Sequence, residues 1–410
     1  MSGTNPKIMN SRREFLQKIC SGAVSIPLLK TSSSWLQNPK RIKKGDMYYR
    51  RLGRTGLMVS EISLGGSPLP DWSILLQSIE KGVNYIDTSH SYMNGNSERM
   101  IGRLLREAGR DKIHVATKFH LRGNWNRRSI IRSAEGSLKR LGTDVIDVLM
   151  IHGAEKPENL THEEVLSAFE TLKQEGKCRC TGLSCHSNHL PVFRKTLDCE
   201  RYDMIQIGYN VFDIDEGSPQ IQTYDNYLET CGLEDLIREA YGKDIGVIAM
   251  KTLKVGGRHQ NLEKYRTPGA SLYQSMLKWA LSNRNISSVV TEMLNFQELE
   301  EDLAVVHQTL TPAERRSLYR YVAENSSDTC RFCGRCQIQC REGVQISRIF
   351  RYLAYHESYQ KIGRSRRAYS RLPSHQNASA CRSCGQCEPA CPYRVPVREK
   401  LRRAHAVLAS

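Results

Sequence analysis

The chain is short of acidic residues, of long apolar runs and of nucleotide fingerprints, and each shortage excludes something. Sixty Lys and Arg face 43 Asp and Glu, a formal net charge of +17. Such an excess suggests nucleic acid or an acidic partner. No helix-turn-helix signal and no interleaved aromatic platform accompanies it, so nucleic-acid binding is not expected. A membrane-spanning helix needs about 20 apolar residues. The apolar stretch Ile19 to Leu29 is too short, and no transmembrane span is expected in the mature chain. There is no G-x-G-x-x-G, which leaves a Rossmann domain unsupported, and no flavin motif. Hydrophobic residues at 39% and charged ones at 25% leave an ordinary globular composition. A length of 410 residues allows a large core plus a small domain.

What the chain does have is cysteine. Eight of its 14 cysteines form two runs of one spacing. The first is Cys330, Cys333, Cys336 and Cys340; the second is Cys381, Cys384, Cys387 and Cys391, followed by Pro392. This C-x2-C-x2-C-x3-C pattern is that of two [4Fe–4S] clusters, in which the fourth Cys of each run ligates the other cluster. Cys330, Cys333, Cys336 and Cys391 are therefore expected to hold one cluster, and Cys381, Cys384, Cys387 and Cys340 the other. Structural zinc takes four ligands per site, not two sets of three plus one, and two repeats of one spacing make a poor disulfide ladder. Arg341 stands where the motif usually has Pro, which touches the chain direction and not the ligation. About 16 Lys and Arg against 4 Asp and Glu follow Cys330. Thiolate-bound clusters carry net negative charge, which these residues offset. Of the other cysteines, Cys178, Cys180 and Cys185 lie on an expected buried strand, where free Cys acts as a small hydrophobe. Cys199, Cys231 and Cys20 receive no role.

Ser11-Arg12-Arg13-Glu14-Phe15-Leu16-Gln17-Lys18 matches the bacterial twin-arginine export pattern, and the apolar stretch after it fits a signal h-region. Residues 1–34 are read as this signal. Export by the twin-arginine route, to the periplasm or beyond, is the expectation, with a cytoplasmic location as the alternative. That route carries folded proteins, which suits clusters inserted before export.

From Ile62 the chain alternates short apolar runs with amphipathic helices. Strands are expected to begin near Ile62, Tyr85, Ile113, Val145, Arg179, Met204, Gly246 and Ile286, each followed by a helix. Eight βα units over about 250 residues argue for a closed (β/α)8 barrel, an α/β fold. Tyr49 to Leu57 reads as a hairpin closing the barrel floor, and Thr311 to Glu324 as a connecting helix with Pro312 near its start. The expected organisation is a barrel over residues 48–310, a linker helix over 311–328 and a small α-rich ferredoxin-like iron–sulfur domain over 329–410. Catalytic groups of such barrels lie where strands end. There the sequence offers Asp87, Tyr92, Lys118 and His152.

The motifs "YRRLGRTGLMVSEISLGG", "GVNYIDTSHSYMNGNSERMIG", "VATKF", "DVLMIHG", "GLSCHS", "MIQIGYNVFD", "GVIAMKTL" and "LKWALSN" follow in that order. In sequence and spacing, residues 49 to 308 resemble the aldo/keto reductase family, and the whole chain resembles its subgroup with a C-terminal ferredoxin-like domain behind an export signal. The resemblance implies carbonyl reduction, or alcohol oxidation, by hydride transfer with a nicotinamide cofactor, NADP(H) by family default or NAD(H). It maps the catalytic tetrad onto Asp87, Tyr92, Lys118 and His152. Lys118 would lower the Tyr92 pKa by stabilising phenolate, Asp87 would hold Lys118 charged, His152 would orient the carbonyl oxygen, and Tyr92 would act as general acid.

Cofactor contacts carry over to Ser184, Gln206 for the nicotinamide carboxamide, Tyr209 for stacking on its ring, and Lys251 near the pyrophosphate. Cys185 stands where the family commonly has Asn, Met93 where a Gly usually follows the Tyr, and Glu292 where basic residues often meet a 2′-phosphate. The implied substrate is a small carbonyl or alcohol, its specificity set by the His120–Arg128 and Asp213–Cys231 loops. A redox partner protein would serve the clusters. The alternative is an electron-transfer or docking module whose barrel has lost reductase activity.

Overall fold

In the computed structural model, residues 41–213, 232–253 and 262–410 are described. Residues 1–34, where an export signal is expected, Cys20, Cys231 and most of the Asp213–Cys231 loop lie outside them.

Eight parallel strands close into a barrel: β4 (Ile62–Gly65), β5 (Tyr85–Asp87), β6 (His114–Phe119), β7 (Ile146–His152), β8 (Cys178–Cys185), β9 (Met204–Gly208), β10 (Gly246–Met250) and β11 (Ser288–Thr291), with β11 pairing back onto β4. Each strand begins within two residues of its expected start. These segments read clearly because both faces of every strand are covered, so each is a near-continuous apolar run. Tyr85, Ala116, Val148, Met150, Cys180, Met204, Ile248 and Val290 fill the barrel interior.

The helices begin and end on local chemistry. Asn126 accepts the Ser129 amide at 2.9 Å to cap the helix Arg127–Leu141, and left-handed Gly142 ends it. Thr311 and Glu314 form a capping box at the helix Pro312–Asn325. Lys278 and Glu314 form a buried ion pair that ties this helix to the helix Leu272–Ser282.

Below the barrel, β2 (Met47–Arg51) and β3 (Met58–Ser60) form the expected hairpin, and Leu52 and Val59 plug the interior from that side. Gly53 sits against β10 so closely that a Cβ there would lie 2.2 Å from the Gly246 nitrogen. The sequence did not suggest β1 (Arg41–Lys44), which extends this sheet. All four of its residues are exposed, so it carries no alternating pattern. It is held by backbone pairing and by the Arg41–Glu61 ion pair.

After the barrel, the helices Ile346–Glu357, Ile362–Ser370 and Val397–Leu408 pack around a core of their own that includes Phe332, Ile349, Phe350, Leu353, Val397 and Leu401. This segment lies over the barrel mouth. The Asn188 amide donates to the Phe332 carbonyl at 2.7 Å, and Arg331 reaches the Phe212 carbonyl at 3.3 Å. Among the described residues, no helix is long and apolar enough to cross a membrane.

Candidate active site

Asp87 ends β5, Tyr92 opens the turn after it, Lys118 lies near the end of β6, and His152 ends β7. The parallel register sets these strand ends side by side, Asp87 opposite Ala116 and Lys118 opposite Met150. Lys118 is 1% exposed and pairs with Asp87; its Nζ also donates to the Thr88 carbonyl at 2.7 Å. Tyr92 and His152 meet edge to face with ring centroids 5.4 Å apart. Asp87, Tyr92 and His152 line one cavity, with Lys118 behind them. All four expected residues converge.

Their electrostatics differ from the expectation in one respect. The Lys118 ammonium lies 5.0 Å above the Tyr92 ring centroid, not on its hydroxyl. Burial pushes the Tyr92 phenol well above its usual value, and the Asp87 charge adds to the rise. Lys118 donates instead to Asp87 and the Thr88 carbonyl, and burial leaves the Tyr92 phenol raised and not lowered. Burial raises Asp87 and lowers Lys118, and each partner offsets the other's shift. The result is a phenol that keeps its proton at neutral pH.

Around His152 the sequence reading missed three more imidazoles. His120 stacks on His152 at 4.2 Å, His90 meets His120 edge on at 5.4 Å, and His186 lies 5.8 Å from His152. Ser89 Oγ contacts His152 Nδ1 at 3.0 Å. Burial, then Lys118 and the neighbouring rings, hold His152 well below its usual value; burial and Arg122 take His120 down to about 3. Burial also holds His186 well below its usual value, and His152 meets a substrate as an uncharged hydrogen-bonding ring. "DTSHSY" and "GLSCHS" contain His90 and His186, but only strand adjacency brings them together.

Gln206, Lys251 and Glu292 line the same cavity as the tetrad, along with Gly65 and Gly66. Gln206 is 2% exposed and its Oε1 has no hydrogen-bond partner. A buried acceptor left open is costly, and this one suits a ligand amide. At Gly66 a Cβ would stand 2.6 Å from the Asp87 carbonyl oxygen, so only glycine lets this wall approach the tetrad. Lys251 donates to Tyr355 Oη at 3.2 Å. Burial pushes the Tyr355 phenol up, but Lys251, Arg351 and Arg364 outweigh it and bring it to about 8. Tyr355 comes from the C-terminal segment and had no signal in the barrel motifs.

Three expected cofactor residues stand apart from this cavity. Tyr209 stacks on Trp279 at 4.6 Å and donates its hydroxyl to Glu234. Its ring is committed to the core and is not presented for stacking on a ligand. Ser184 is fully buried, accepting the Gly153 amide at 3.3 Å. Cys185 is also fully buried, its thiol bonded to the Ser187 carbonyl at 3.2 Å.

The two cysteine runs share a backbone conformation. Phe332 and Gly334 in the first run, and Ser383 and Gly385 in the second, occupy equivalent positions, and all four have left-handed φ between 54° and 87°. Such turns aim successive amides at a common anion; the Phe332 amide points at Cys330 Sγ at 3.3 Å. Cys330, Cys333, Cys336 and Cys391 line one small cavity. Burial, then Cys333 and Cys391, push the Cys330 thiol up to about 12. Burial, Glu388, Cys381 and Cys384 push Cys387 up to about 11. Cys340 packs against the same apolar core as Cys381. Thiols crowded like this ionise when cationic metal replaces their protons. Among the described residues no three Cys, His, Asp or Glu side chains are grouped around a single ion. A cubane asks something different, since it takes one thiolate on each of four irons.

The aldo/keto reductase family model matches residues 73–320. The uncharacterized oxidoreductase YqkF of Bacillus subtilis is 27% identical over 305 residues, 68% of this chain and 98% of that one. L-galactose dehydrogenase of Arabidopsis thaliana is 27% identical over 293 residues, 63% of this chain and 87% of that one. A solved aldo-keto reductase from Klebsiella pneumoniae in complex with NADPH overlays with a TM-score of 0.51 at 22% identity, covering 66% of this chain and 93% of that one, a likeness of fold. With the family match extending over more than half its length, the chain belongs to the aldo/keto reductase family.

Proposed function

We propose that this protein is a nicotinamide-dependent oxidoreductase that interconverts a carbonyl and an alcohol with Tyr92 as general acid, and that it carries two [4Fe–4S] clusters. The convergence of Asp87, Tyr92, Lys118 and His152 on the cavity that also holds the open Gln206 oxygen carries the reading.

Bound nicotinamide, NADP(H) by analogy with the relative solved with NADPH or NAD(H), would supply the hydride. Gln206 Oε1 would accept the carboxamide N–H, and the glycine wall at Gly65 and Gly66 would let the ring lie against the strand ends. Neutral His152 orients the carbonyl oxygen, and Tyr92 releases its proton to that oxygen as the alkoxide develops. The Lys118 ammonium, 5.0 Å from the Tyr92 ring centroid, would offset part of the charge of the phenolate left behind. Glu292 in the same cavity disfavours a 2′-phosphate, whereas Lys361, also there, favours one.

The clusters would be held by Cys330, Cys333, Cys336 and Cys391 and by Cys381, Cys384, Cys387 and Cys340, supplying one-electron chemistry or cross-links to a small domain. Cys384 is exposed, so a redox partner protein would approach the second cluster. Loading of clusters before twin-arginine export, and a cofactor carried tightly bound, complete the reading.

The test is anaerobic turnover of a panel of aldehydes and ketones with NADPH and NADH, set beside Tyr92→Phe. The expected outcome is loss of at least a hundredfold in kcat with cluster absorbance unchanged. A wild type that retains no nucleotide and reduces no carbonyl would turn the assignment toward a docking or electron-transfer module.

A further inference from the structure

Two cavities open at the barrel mouth, and His152, His186, Tyr355 and Arg364 line both. The first lies on the β10, β11 and β4 side, with Gly66, Lys251 and Glu292, where the dinucleotide is placed above. The second lies over the loops after β6 and β7 and under the helices Ile346–Glu357 and Ile362–Ser370. Its wall is cationic. Glu155 is its one acid, and Arg348 at 2.7 Å and Arg351 already occupy that carboxylate. Arg122, Arg364, Arg367 and Arg371 also line it, and among the described residues none of these four has a carboxylate within ion-pairing distance.

Like charges gathered on one concave wall repel each other and focus a positive potential into the space between them. The guanidinium fork matches carboxylate and phosphate oxygens in geometry as well as in charge. The neutral imidazoles of His120 and His152 continue that wall toward Tyr92. One end of the cavity is thus built for an anion and the other for a polar, uncharged group.

We propose that the substrate is an anion: a carbonyl compound, or its alcohol, bearing a carboxylate or phosphate held by Arg122, Arg364, Arg367 and Arg371, with its carbonyl at His152 and Tyr92. This rests on the reductase reading given above and assigns its substrate class. It also gives the C-terminal segment a role in recognition, since three of the four arginines come from it.

The experiment uses the full, cluster-loaded chain and a double variant, Arg367→Gln with Arg371→Gln, both exposed positions outside the tetrad. Calorimetric titration with inorganic phosphate and with succinate is run with and without saturating NADPH. The expected result is binding that survives NADPH and weakens at least tenfold in the variant at unchanged iron content; the tighter probe assigns phosphate or carboxylate. In kinetics, succinic semialdehyde should show a KM at least tenfold below that of butanal, and the variant should erase that preference. Displacement of the anion by NADPH, or equal binding by wild type and variant, overturns the inference. Anion binding without turnover of either aldehyde supports the site and overturns the reductase reading. Butanal turnover without anion binding overturns the anion inference alone.

Discussion

Glu155, in the loop after β7, receives Arg348 at 2.7 Å, so a barrel carboxylate anchors the helix that roofs the active site. Burial would raise this carboxyl, but Arg351 and Arg348 override it and hold it at about 2 against an ordinary 4.5. A carboxyl depressed by folding stabilises fully above its unfolded value and loses that contribution as pH falls through its folded value. Glu155→Gln should therefore cost on the order of 3 kcal/mol at pH 7, with the gap closing as pH drops from 4.5 toward 2. Urea unfolding followed by tryptophan fluorescence measures it. Equal gaps at pH 7 and pH 3 would show that the pair does not anchor the roof.

Gln206 makes a separate prediction. Its Oε1 is buried and open, and a partner gained on binding is worth about 1 kcal/mol. Gln206→Leu, similar in volume, should leave the fold intact and weaken dinucleotide binding roughly five- to tenfold. Fluorescence titration with NADPH and NADH reads this directly. Unchanged affinity for both would remove Gln206 from the cofactor site.

The barrel was legible because its strands are buried on both faces and its helices carry their own caps, so local pattern and global position agree. The tetrad was legible because strand ends are where such barrels place chemistry, and Asp87, Lys118 and His152 each stand at or near one. The histidine cluster was not, since His90, His120 and His186 come from separate βα loops and meet His152 at the end of β7 only through strand register. Tyr209 shows the opposite failure: the family resemblance implied a stacking platform there, but the ring packs on Trp279 and is 1% exposed. Tyr355 and the arginines of the roof lie beyond the barrel motifs, and nothing in their local pattern says which surface they cover.

Met93 follows the proposed proton donor, and with Asn94 and Gly95 it makes three consecutive left-handed residues, φ 49°, 55° and 85°. A side chain in that region costs roughly 1–2 kcal/mol, and glycine's extra backbone entropy takes back about 0.5–1. Met93 is 40% exposed, so its removal uncovers little. Met93→Gly should stabilise the protein by about 0.5–1 kcal/mol. A denaturant midpoint that falls would mean that the Met93 side chain packs more strongly than its exposure suggests.

Crossed ligation can be tested by pairing cysteine substitutions. Cys391 shares its cavity with Cys330, Cys333 and Cys336, not with the rest of its own run. If those four hold one cluster, Cys391→Ser should lower iron from eight atoms per chain to about four. Adding Cys333→Ser should remove nothing more, because both ligands serve the same cluster, whereas adding Cys384→Ser should empty the second site. Uncrossed ligation predicts the reverse: the Cys391–Cys384 pair spares four irons and the Cys391–Cys333 pair removes all eight. Iron and sulfide quantitation on anaerobic preparations separates the two, and far-UV circular dichroism checks that each variant keeps the helices packed around the cysteine loops.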